Sequence, residues 1–145
     1  MKILVINGPN LNILGHRNPK FYGKISLGLI NKNLTKIAIK HNIKLEFFQS
    51  NHEGELIDFL QEKSSQATGI IINPGALTHY GYCLRDALED SKLPVIEVHL
   101  SDLDVREPFR KINVLTGVTV KKFKGQKAKS YLKGLEYLIK KIKTQ

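Results

Sequence analysis

Short apolar runs alternate with longer amphipathic stretches along this chain. Residues 2–7, 44–49, 69–73, 94–99 and 118–123 are rich in Ile, Val, Leu and Phe and read as strands. Between them, apolar positions recur every three or four residues. Leu27, Ile30, Leu34, Ile37 and Ala38 mark one helix over 26–41, with Ser26 as its N-cap. Leu56, Ile57 and Leu60 mark a second over 53–64, and Leu84, Ala87 and Leu88 a third over 82–91. Ala128, Tyr131, Leu132, Leu135, Leu138, Ile139 and Ile142 mark the last, over 127–143.

Strand and helix alternating in this way predict right-handed βαβ units. The expected fold class is α/β: a flavodoxin-like, doubly wound sheet of five parallel strands with helices on both faces. At 145 residues the chain has the size of one domain, expected to span 1–145.

Unusual polar residues follow the carboxyl ends of these strands, the edge where open parallel sheets bind ligands. They are Asn7, Asn10 and Asn12; Asn51 and His52; Asn73 and His79; and Glu97, His99 and Ser101. Two connections are also long. Residues 8–25 take some eighteen positions, where about 2 to 6 usually suffice. Gly15 and Gly23 bracket His16, Arg17, Pro19 and Tyr22 there, the composition of a hinged lid carrying reactive groups. Residues 100–117 carry Arg106 and Arg110, which would share a face on a helical turn and could hold an anion.

Composition narrows the remaining classes. The net charge of +10 invites a nucleic-acid partner. Its lysines, however, alternate with apolar positions in the first and last helices, as on a solvated face, and no RNA-binding strand or helix-turn-helix pattern accompanies them, so no nucleic acid is expected. No run is long enough to span a bilayer, and the first residues lack a signal peptide's cleavage pattern, so a cytoplasmic protein without membrane contact is expected. The lone Cys83 fits a reducing compartment and reads as a small core residue. The first loop lacks a glycine-rich dinucleotide fingerprint, a P-loop lysine and the hydroxyl-rich cradle of a flavin-binding protein. Glu97 and His99, two apart on a strand, are the one near pair of metal-ligand type; a carboxylate orienting an imidazole accounts for them better than a shared metal.

Several motifs occur in one order: Asn-Gly-Pro-Asn-Leu-Asn at 7–12, Arg17 with Pro19 and Tyr22-Gly23, Gln-Ser-Asn-His-Glu-Gly at 49–54, Asn-Pro-Gly at 73–75, Leu-Arg-Asp-Ala at 84–87, and Glu-Val-His-Leu-Ser at 97–101 through Arg106 to Arg110. Over residues 1–110 the chain thereby resembles type II 3-dehydroquinate dehydratase (3-dehydroquinase). The resemblance implies a flavodoxin-like fold and a homododecamer built of trimers. It implies a lyase that converts 3-dehydroquinate to 3-dehydroshikimate without metal or organic cofactor, in the shikimate pathway of aromatic amino acid biosynthesis or in quinate breakdown.

The resemblance also assigns roles. Tyr22 would be the base, as a tyrosinate, with Arg17 stabilising it. Tyrosine titrates near ~10 when free, so working near neutrality needs roughly 4 kcal/mol of preferential anion stabilisation. His99, oriented by Glu97, would be the general acid. Asn10 would hold a water against the enolate oxygen. Asn73, His79, the Leu100 and Ser101 backbone, and Arg110 would bind substrate hydroxyls and carboxylate. Arg106 would help close the lid, and Asp86 would act across a subunit contact. The chain departs from the family pattern at Tyr80-Gly81-Tyr82, at Asn113-Val114-Leu115, and over 120–129, where Lys121, Lys122, Lys124, Lys127 and Lys129 replace an apolar, glycine-rich connection. Read without the family, Tyr22 is a loop aromatic, His99 a structural histidine and Asn10 a turn residue. A noncatalytic module binding nucleic acid or acidic partners through its basic C-terminal face is then the alternative.

Overall fold

The computed structural model describes residues 1–145. Its strands are β1 (Lys2–Asn7), β2 (Lys44–Gln49), β3 (Gly69–Asn73), β4 (Val95–Val98) and β5 (Lys121–Phe123), all parallel in the order β2-β1-β3-β4-β5. The helices are α1 (Pro19–Tyr22), α2 (Leu27–Lys40), α3 (Glu53–Lys63), α4 (Tyr82–Asp90) and α5 (Lys129–Lys143). This is the expected flavodoxin-like order. Its winding reverses between β1 and β3, which opens a crevice at their carboxyl ends.

Alternation along the strands sorts the core into two layers. Ile3, Val5, Ile71, Ile96 and Val98 face α2 and α5, meeting Ile30, Leu34, Leu135 and Leu138. Leu4, Ile6, Ile70, Ile72 and Val95 face α3 and α4, meeting Leu56, Leu60, Leu84 and Leu88. Truncating a wholly buried member such as Leu135 to alanine would cost about 2–5 kcal/mol. Ser26 does cap α2, its hydroxyl accepting from Leu29 N at 3.2 Å.

Three expectations need correction. The strand expected over 118–123 begins at Lys121, because the amides of Val118 and Thr119 turn back to the Leu115 carbonyl. Cys83 is exposed: Leu84 and Leu88 carry the buried stripe of α4, and position 83 falls outside it. Arg106 and Arg110 do not share a helical turn. Pro108 holds Glu107 out of the helical region (φ −59°, ψ 146°), so Arg106 ends one 3-10 turn and Arg110 lies in the next. No helix is long and apolar enough to cross a membrane.

Candidate active site

A cleft enclosing ≈ 550 Å³ of space, its mouth included, opens over the carboxyl ends of β1, β3 and β4. Asn10, Arg17, Tyr22, Asn73, His79, His99, Leu100, Ser101, Arg106 and Arg110 all line it. Its floor is two turns in close contact. A Cβ at Gly75, whose φ is +60°, would lie 2.9 Å from the Pro9 carbonyl oxygen, so only glycine lets these turns meet. Asn10 adopts a left-handed backbone (φ 71°), and its amide donates to Asn51 Oδ1 at 2.9 Å.

The eighteen-residue connection folds over the cleft as a lid containing α1. Its bracketing glycines both have positive φ, +98° at Gly15 and +73° at Gly23. Asn18 caps α1 and Pro19 begins it, an arrangement that brings Tyr22 to the cleft. Two guanidiniums converge on the Tyr22 phenol oxygen: Arg17 Nη2 donates at 2.9 Å and Arg106 Nη1 at 2.7 Å. Arg17 also stacks on the ring of Tyr22, its Cζ 3.8 Å from the centroid. Charge-assisted donors of this kind favour negative charge on the shared oxygen. Burial pulls the Arg17 guanidinium below the ordinary arginine value; Tyr22 opposes that shift, and the charges of Arg106 and Arg110 add to it. The side chain remains a cation. Arg106 contributes to the phenol as well as to the lid, because its guanidinium also covers the Phe21 ring at 4.2 Å.

Strand β4 carries Glu97 and leads into His99, which lines the same cleft. Glu97 has no solvent exposure, and its Oε1 lies 2.6 Å from His99 Nε2. Two further side chains hold the same carboxylate. Thr78 Oγ1 donates to Oε1 at 2.6 Å, and Asn113 Nδ2 lies 3.0 Å from each carboxylate oxygen. Burial pushes the Glu97 carboxyl up, but the hydrogen bonds and charge of His99 and the donors on Asn113 and Thr78 outweigh it, holding Glu97 below the usual carboxylate range. Glu97 therefore stays ionised and fixes His99 Nε2 as a donor.

His79 makes a 2.6 Å contact from Nδ1 to the Ile112 carbonyl, which can only accept, so Nδ1 carries the hydrogen and Nε2 is left with a lone pair. Burial lowers the His79 pKa, with the Arg110 and His99 charges adding, against the pull of the Ile112 carbonyl and Glu97. The carbonyls of Leu100 and Ser101 accept from Lys127 N and Gly125 N, while their own amides have no protein partner and can serve a ligand. Arg110 pairs through Nε with Glu107, leaving its terminal nitrogens for an anion.

Some expected residues lie elsewhere. Asn12, His16, Asn51 and His52 do not line the cleft. For Asn51 and His52 the reason is topological: β2 is the outer neighbour of β1, away from the crevice. Asp86 is exposed on α4, also outside the cleft. Thr78, Asn113 and Tyr131 were not anticipated as site residues. The lysines of 121–129 point to solvent or, at Lys124, pair with Asp102 and Asp104. No group of three or more His, Cys, Asp or Glu side chains is placed to hold a metal ion.

Residues 1–139 match the family model described as Dehydroquinase class II. The chain is 53% identical over 139 residues to a 3-dehydroquinate dehydratase of Roseiflexus castenholzii, covering 96% of this chain and 88% of that protein. It is 49% identical over 142 residues to the enzyme of that name from Halothermothrix orenii, covering 98% and 96%. Among solved structures it superposes on a type II dehydroquinase from Butyrivibrio crossotus with a TM-score of 0.91 at 45% identity, over 95% of this chain and 97% of that one.

Proposed function

The chain belongs to the class II dehydroquinase family of 3-dehydroquinate dehydratases, hydro-lyases, and we propose that the cleft carries out the dehydration with Tyr22 as base and His99 as acid. The convergence of Arg17 and Arg106 on the Tyr22 phenol oxygen carries the proposal. Those two cations favour a tyrosinate, which takes the proton from the carbon beside the ketone of 3-dehydroquinate. The electron pair moves to the carbonyl oxygen as an enolate, stabilised through a water held by Asn10. Collapse of the enolate expels the hydroxyl on the neighbouring carbon. His99 protonates that hydroxyl as it leaves, so that water and 3-dehydroshikimate result in an anti elimination. Solvent then returns a proton to His99 and removes one from Tyr22.

The substrate would be held by groups already aimed at the cleft. Arg110 and the free amides of Leu100 and Ser101 suit hydroxyls and the carboxylate, the lone pair on His79 Nε2 suits a hydroxyl, and Asn73 supplies an amide. Asp86, exposed on its helix, would serve a neighbouring subunit in a trimer-based homododecamer. A sizing column gives the assembly directly, and a monomer turning over normally would refute that role. A place in aromatic amino acid biosynthesis is checked by restoring growth, without aromatic amino acids, to cells lacking dehydroquinase.

The deciding assay follows the ultraviolet absorbance of the conjugated enone product from 3-dehydroquinate. The parent should turn over, and Tyr22→Phe should be folded and without measurable rate. A near-normal rate in that variant would remove Tyr22 as the base.

A further inference from the structure

Tyr131 lies on α5, behind the sheet, and is fully buried among residues of the first core layer. Its ring packs as a core side chain would, but its hydroxyl sits at the carboxyl ends of β1 and β3, between Asn7 and Asn73, which face each other across the two strands. The direction of each hydrogen bond there can be fixed from the backbone. Gly75 N can only donate, and it donates to Asn73 Oδ1 at 3.1 Å. Asn73 Nδ2 must then be the atom facing Tyr131 Oη at 2.9 Å, with the phenol accepting. The phenol's own hydrogen is thereby directed to Asn7 Oδ1 at 2.6 Å. Asn73 cannot turn its amide over without setting its own NH2 group against Gly75 N, and Asn7 is held through its Oδ1 by the phenol hydrogen, both in a dry environment.

We infer that Tyr131 is a positioning residue for the cleft, its hydroxyl bridging Asn7 and Asn73 and thereby fixing the edge of the Asn73 amide that the substrate meets. This rests on the proposed role of Asn73 in binding substrate. Burial pushes the Tyr131 phenol above the ordinary tyrosine value, so the bridge stays a neutral hydroxyl across the working range. Phenylalanine would fill the same core space and remove only the oxygen, leaving the Asn73 side chain held by Gly75 N alone.

The test is a double-mutant comparison of Tyr131→Phe, Asn73→Ala and the two together. Tyr131→Phe should raise KM for 3-dehydroquinate about 10-fold with kcat little changed, since an amide anchored on one side only holds substrate less well. In the Asn73→Ala background the same change should leave KM unaltered. An equal KM effect in both backgrounds, or none in the parent, would overturn the inference and leave Tyr131 a packing residue only. Hydrogen exchange of the Asn73 side-chain amide, followed by NMR without substrate, supplies a readout independent of turnover. It should be slow in the parent and faster in Tyr131→Phe; unchanged exchange would also overturn the inference. If Tyr131→Phe does not fold, Asn7→Ala carries the same exchange comparison by removing the acceptor of the phenol hydrogen. Failure of the parent to turn over 3-dehydroquinate would instead count against the proposed reaction, leaving the exchange result to judge the bridge.

Discussion

His79 and Glu97 both enter the fold with lowered pKa values, and both make the protein less stable in acid, in successive windows. As pH falls below the ordinary histidine value near ~6.5, His79 protonates in the unfolded chain before it does so in the folded one, so stability falls. Below ~4.3 the unfolded Glu97 carboxyl takes up a proton while the folded one still resists, and stability falls again. Thermal denaturation followed from about pH 8 to about pH 3 should show both slopes, with His79→Gln flattening the upper window alone. A variant that melts with the parent's pH dependence would remove His79 from the account. Arg110→Ala should raise KM about 10-fold or more, with a smaller change in kcat, because Arg110 is placed to hold an anion and does not touch the phenol. Loss of kcat alone would contradict that placement. Lining residues such as Tyr22 and His99 could be named from their motifs. Thr78, Asn113 and Tyr131 could not, because each acts through a partner at least 16 positions away. Their side chains fit a turn, a loop and a core helix equally well.

The helix α5 approaches β4 closely at one point, Gly134, where a Cβ would sit 2.8 Å from Val98 Cγ1 and 3.3 Å from Ile96 Cγ2. Alanine normally favours a helix by about 1 kcal/mol over glycine. Here the added methyl meets two stiff β-branched side chains, and overpacking of that kind costs typically ~1–3 kcal/mol. Gly134→Ala should therefore lower the melting temperature despite its better propensity. A higher melting temperature would show that the helix has room to shift. The central strands β1, β3 and β4 were legible because parallel strands buried on both faces read as unbroken apolar runs, and α2 to α5 carry clean stripes, whereas the four residues of α1 are too few to show one. The residues before β5 were not, because Val118, Thr119 and Val120 have strand composition while Leu115 O captures two of their amides in a turn. Cys83 misled for a related reason: helical position was readable, but its phase placed it one residue off the buried stripe.

Across the whole molecule the charge of +10 is spread over solvated lysines, yet the cleft concentrates part of it: Arg17, Arg106 and Arg110 line it, and no Asp or Glu does. An anionic substrate is drawn to such a cleft by a field that salt screens, with a Debye length of ~8 Å at physiological ionic strength. Raising salt should raise KM while leaving kcat nearly flat, and a salt-independent KM would mean that only short-range contacts govern binding. The bridge from Tyr131 to Asn7 spans 124 positions, and every residue lining the cleft is numbered 110 or lower. During synthesis the wall of the site is thus complete as a polymer well before the helix that braces it exists. A ribosome paused just beyond residue 110 would hold a chain with the full set of lining groups and no functioning pocket, so activity should arise late, when α5 docks.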